Sequence, residues 1–163
     1  STHALPAGAG DGAPGPQGPA GIPGTQGLTG IVSTNSFAGE ITPINDYDEI
    51  NFAFRGPTTT VSVSATQRMT ATVTSALGTS AGTADLEYNL CYQSLPSGSV
   101  MEFSQGDYFA VTATPNITSF TASQSIVLGV AGDYKVGMCI RNMSNATAID
   151  NNDWGQGWVM VTN

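Results

Sequence analysis

The sequence predicts an all-β protein in which a short collagen-type triple helix precedes a jelly-roll-like β-sandwich, assembled as a homotrimer. Three observations carry this. Glycine occupies every third position from Gly12 to Gly30. Beyond it, apolar residues alternate with Ser, Thr and charged residues at period two, the pattern of half-buried strands. No segment spaces its apolar residues at the helical period that an amphipathic helix would require.

Residues 1–11, STHALPAGAGD, carry neither period, and alone they bury too little to offset the entropy of ordering. Their small apolar run Ala4, Leu5, Pro6 and Ala7 is the candidate assembly anchor, small enough to enter a trimer axis. Residues 12–30 form the stem. Gly12, Gly15, Gly18, Gly21, Gly24, Gly27 and Gly30 fall in strict register, with Pro14, Pro16, Pro19 and Pro23 between them. A triple helix demands this because every third residue of each chain is crowded onto a common axis where only glycine fits. The prolines pre-set φ and lower the ordering cost. A flexible Gly/Pro linker would share the composition without the period. The stem spans only about 55 Å at ~3.1 Å per residue and holds no charged residue, so it is marginal alone and needs support from elsewhere in the assembly.

Residues 31–40, IVSTNSFAGE, read as a junction, and 41–163 as the sandwich head that holds the trimer. Ile50, Phe52 and Phe54 share one face, followed by Val61, Val63 and Ala65, then Met69, Ala71 and Val73. Leu86, Tyr88, Leu90 and Tyr92 alternate with Asp85, Glu87, Asn89 and Cys91; Tyr134, Val136, Met138 and Ile140 alternate with Lys135, Gly137, Cys139 and Arg141. Further strands fall at 108–114, 118–128 and 156–162. Turn signals at 55–57 (RGP), 77–82, 95–98, 114–116, 131–133 and 151–153 separate them. About eight or nine strands result, enough for two packed sheets.

Cys91 and Cys139 are the two cysteines, and the alternation puts both on the polar face of their strands. Thiols on one face of neighbouring strands can be bridged, and an even pair in a secreted chain predicts a disulfide. The chain begins at Ser1 without an apolar leader and reads either as a mature secreted form, extracellular or at the cell surface, or as a trimmed chain, the first being the more natural. No apolar run is long enough for a transmembrane helix. Four basic against twelve acidic residues, net −8, argue against nucleic acid as a partner.

His3 is the only histidine, so the head has no Ser-His-Asp or Cys-His arrangement and no zinc set. Glu49, Glu87, Glu102 and Asp107 show no spacing that singles out a carboxylate pair for glycoside hydrolysis. No enzyme activity and no cofactor are expected. Asp46 and Asp48 in NDYDE, and Asp150 and Asp153 in DNND, are the oxygen-rich clusters that calcium would use. Neither has EF-hand spacing, and turn chemistry is the favoured reading. Tyr47 and Trp154 are the candidate ligand contacts, because exposed aromatic faces stack on sugar rings. Trp158 alternates with Met160 and is expected in the core.

The segment GAPGPQGPAGIPGTQGLTG followed by a C-terminal all-β domain resembles bacterial and phage collagen-like proteins, among them surface adhesins, spore-coat hair proteins and tail-fibre segments. In several of these the C-terminal β-domain is the trimerisation unit. The resemblance implies a homotrimer that partners itself. The expected function is a structural subunit of an extracellular filament, with trimers joined head-to-tail through tail and stem. The alternative is a trimeric adhesin or phage-fibre tip that holds glycans or a host protein by multivalency.

Overall fold

The computed structural model describes residues 30–163, together with Gln17, Gly18, Gly21 and Gly27. The anchor residues Ala4, Leu5, Pro6 and Ala7 and the stem glycines Gly12, Gly15 and Gly24 lie outside the described residues. Within the single chain, a side chain at Gly18, Gly21, Gly27 or Gly30 would meet nothing within 4 Å.

Nine strands follow: β1 (Ile31–Glu40), β2 (Ala53–Val63), β3 (Arg68–Leu77), β4 (Ala84–Ser94), β5 (Val100–Glu102), β6 (Phe109–Ala113), β7 (Thr118–Val127), β8 (Gly132–Asn142) and β9 (Trp154–Thr162). They form a two-sheet sandwich. One sheet has the order β1-β9-β3-β7; the other runs β2-β8-β4-β5, with β6 also on β4. Every named pair is antiparallel. The core between the sheets is built from the predicted alternations: Met69, Val73, Val159 and Val161 face Leu86, Leu90, Met138 and Ile140. Removing each such side chain from water contributes roughly 1.5–3 kcal/mol.

Two local features differ from the sequence reading. The junction at 31–40 is a full strand, β1. Phe37 is its one buried apolar residue, so apolar alternation does not reveal it. It is held instead by pairing with β9 along its length and by Asn35 Nδ2 donating to the Thr60 carbonyl at 3.0 Å, which ties it to β2. The second difference is RGP at 55–57, which breaks no strand. It is a bulge inside β2, where the register against β8 shifts between Phe54 and Thr58. Gly56 takes φ +99°, open to glycine at little cost. Pro57, lacking an N–H, is tolerated because β2 is an edge strand.

The disulfide forms as the alternation predicts: Cys91 and Cys139 are bonded, with Cα atoms 5.7 Å apart. Their surroundings do not match the polar-face expectation, because both are fully buried. The outer face of the five-stranded sheet is roofed there. Asn89 Nδ2 donates to Ser104 Oγ at 2.7 Å and to the Asp107 carbonyl, while Phe52 and Tyr108 lie against the Arg141 guanidinium, their ring centroids 4.5 and 5.1 Å from its Cζ. Arg141 also pairs with Glu87 and donates from Nη1 to the carbonyls of Glu49 (2.7 Å) and Ile50 (3.2 Å).

Candidate functional site

The outer face of the four-stranded sheet has no such roof among the described residues. Strand geometry decides which side chains it presents, since successive residues point to opposite faces. In β9 the inward positions are Gly155, Gly157, Val159 and Val161. Trp154, Gln156, Trp158 and Met160 therefore point outward. Trp158, expected in the core, is 39% exposed and Trp154 51% exposed. The parity is set by the valines and by the glycines. A Cβ at Gly157 would stand 2.6 Å from the Phe37 ring and 2.5 Å from the Thr72 carbonyl, so the core lies against bare backbone and only the opposite side has room for indole.

Cross-strand register arranges the outward residues in rows. Ser36, Trp158, Thr72 and Ser123 form one row across β1, β9, β3 and β7. The adjoining row is Ala38, Gln156, Thr74 and Thr121, and on the other side lies Thr34, Met160, Thr70 and Ser125. Trp158 thus sits at the centre of a nearly charge-free sheet face, with Glu40 beside Trp154 at one end and Arg68 at the other. An open hollow of about 510 Å³ lies here, lined by Ser36, Ala38, Thr72, Thr74, Gln156 and Trp158 among others.

The hydroxyls are fixed in place. Thr72 Oγ1 donates to the Ala122 carbonyl at 3.3 Å and contacts Ser123 Oγ. Thr74 and Thr121 share a hydroxyl–hydroxyl bond of 2.7 Å, and Arg68 Nη1 donates to Ser125 Oγ at 3.1 Å. Such cross-strand pairs stabilise the sheet and leave an ordered hydroxyl array facing solvent. The face thus offers apolar indole area flanked by donors and acceptors at set positions.

The other predicted contacts are scattered. Tyr47 is exposed, but a bridge to Asn142 places it beside the five-stranded sheet, on the other layer from Trp154. Asp48 caps its own turn, accepting from the Ile50 and Asn51 N–H groups at 2.9 Å each, and these bonds hold its carboxyl below the ordinary aspartate range. Asp150 accepts from Ser80 Oγ (2.8 Å) and Ser80 N–H (2.7 Å) and is lowered for the same reason. Asp46 and Asp153 are exposed. Among the described residues no group of three or more His, Cys, Asp or Glu side chains is placed to hold a metal ion.

No family model and no curated protein matches the chain. Among solved structures, it is similar to a carbohydrate-binding module from Cellvibrio mixtus lichenase 5A in complex with cellotriose. That match covers 76% of this chain and 98% of the module, at 13% identity and a TM-score of 0.25. A likeness at that level carries no argument about this chain, and the site has to speak for itself.

Proposed function

We propose that the protein is an extracellular, trimeric, non-catalytic head on a collagen-type stem, and that it binds neutral glycans on the outer face of its four-stranded sheet. The observation that carries this is Trp158, exposed, lining an open hollow and flanked by Ser36 and Thr72 on the neighbouring strands. Sugar rings present an apolar C–H face and a rim of hydroxyls, and this site pairs an indole face with hydroxyl and amide groups of matching chemistry. Trp154 lies four residues along the same strand, about 13 Å away at ~3.3 Å per residue, with Gln156 between; a short oligosaccharide would span both. The scarcity of charge on the face favours neutral over acidic polymers.

The strand order supports a jelly roll, since successive strands β1 to β4 alternate between the two sheets and β7 to β9 alternate back. The disulfide fits an oxidising, extracellular setting. Three heads on one stem would convert weak single-site binding into avidity. A second reading, the head-to-tail filament subunit, draws on the strict Gly12–Gly30 register. Electron microscopy separates the two: continuous filaments that vanish when residues 1–11 are deleted support the filament, and discrete trimers at high concentration count against it.

The binding test is affinity electrophoresis of the full chain in gels containing neutral polysaccharides. Retardation is expected with at least one neutral polymer and weakens about tenfold or more in Trp158→Ala, the loss of one stacked aromatic. Retardation by acidic polymers alone would refute the assignment.

A further inference from the structure

Resting on the trimer reading above, we propose that the three copies touch one another at the stem-proximal end of the head, through Ile31, Val32, Val127 and Val130, and that this contact clamps the triple helix.

The stem leaves the head at one defined end. The Asn163 N–H donates to the Gly30 carbonyl at 3.0 Å, and Ile31 pairs with Thr162, which pairs with Arg68, which pairs with Val127. Gly30 is also the last glycine of the period, so in a triple helix three copies of Gly30 crowd around one axis. Whatever each head presents beside Gly30 is then forced against its counterparts.

What it presents includes four exposed aliphatic side chains, with Thr162 and Arg68 standing between Ile31 and Val127. Ile31 is 57% exposed and Val130 64% exposed, and Val32 and Val127 are also exposed. Val32 is the extra residue at the bulge that opens β1, where the register shifts between Ile31 and Ser33. It borders a hollow of about 340 Å³ shared with Ser62, Val63, Gln67 and Asp133. Val130 is held out by a fixed turn. Gly129 adopts φ +74°, the neighbouring Leu128 packs on the core, and Tyr134 Oη donates to the Val130 carbonyl at 2.9 Å. A large aliphatic side chain fixed outward on a rigid turn stays exposed unless something covers it.

The two weak elements reinforce each other. Six triplets without charge pairs are marginal alone, and four aliphatic side chains set among polar ones are far below the roughly 1,200 Å² of a stable interface. Joined in one chain, each raises the effective concentration of the other.

The test is sedimentation of the full chain, with circular dichroism of the triple helix, for Val130→Asp and Val32→Asp. Ile117→Asp is the control, since Ile117 is also exposed but precedes the opposite end of β7. The base variants are expected to raise the concentration at half-dissociation about tenfold or more and to lower the melting of the stem signal. The thermal unfolding of the head should stay within the control's range, which shows that the variants fold. Wild-type trimers whose dissociation is unmoved by both base variants would overturn this contact while leaving the trimer reading intact. A monomeric wild-type chain would overturn the trimer reading itself and the contact with it.

Discussion

The two sheets turn similar strands to opposite ends. The outer face of the five-stranded sheet is roofed and internally latched, with the buried Cys91–Cys139 bond on one part of it and the Glu87–Arg141 pair against Phe52 and Tyr108 on another. The outer face of the four-stranded sheet carries hydroxyls and two tryptophans in the open. Asn89, Glu87 and Arg141, which would be costly to bury unpaired, are enclosed with partners on one side, while the hydroxyls of the other face stay at the solvent. The first face is therefore read as stabilising the head, and the second as the one that meets a ligand.

Substitutions in the two faces should separate cleanly into stability effects and binding effects. The largest loss of stability is expected from Cys91→Ser with Cys139→Ser. Opening a loop with sequence separation 48 costs about 4 kcal/mol on the chain-entropy account, measurable by urea unfolding. Next comes Arg141→Ala, which leaves the Glu87 carboxylate, 12% exposed, without its partner. Such a loss is about 3 kcal/mol, while glycan retardation should persist at temperatures where the variant is folded.

Trp158→Ala is expected to reverse that pattern, removing binding while costing less stability than either of those changes, since the indole points outward and is 39% exposed. A loss of several kcal/mol would show that Trp158 supports the core and would erase the contrast between the faces.

The smallest effect is on the acid limb. Asp48 and Asp150 have folded pKa values below their unfolded ones because of local N–H and O–H donors. Their stabilisation is present above the unfolded value, about 3.9, and is lost as pH falls through the lower folded values. Melting temperature should hold down to about pH 5 and decline below about pH 4. Asp150→Asn should make that decline shallower. Both groups lie at the surface, so solvent screening keeps the contribution slight.

Much of the core was legible because Met69, Val73, Leu86, Leu90, Met138 and Ile140 alternate with polar residues on both sides. The disulfide was legible for the same reason, since Cys91 and Cys139 share a parity. What period alone does not reveal is what lies above a face. The cover comes from residues distant in sequence, Ser104 and Asp107 at Asn89 and Phe52 and Tyr108 at Arg141, and period alone reads two buried cysteines as polar-face residues. β1 was hidden because its stability comes from its partner β9 and not from its own apolar content. Trp158 was misplaced because Met160 shares its parity and hydrophobicity. The signal that corrects it is the run Gly155, Gly157, Val159, Val161, in which small and β-branched residues mark the inward side of a strand.

On the proposed function, the tryptophan face of the four-stranded sheet holds glycan. The most direct measurement is the binding of the full chain to an array of neutral and acidic glycans, run beside Trp158→Ala and Trp154→Ala. Neutral glycans are expected among the bound set, with signal lost in Trp158→Ala and reduced in Trp154→Ala. An array with no neutral glycan bound, or binding unchanged in both variants, would contradict that function.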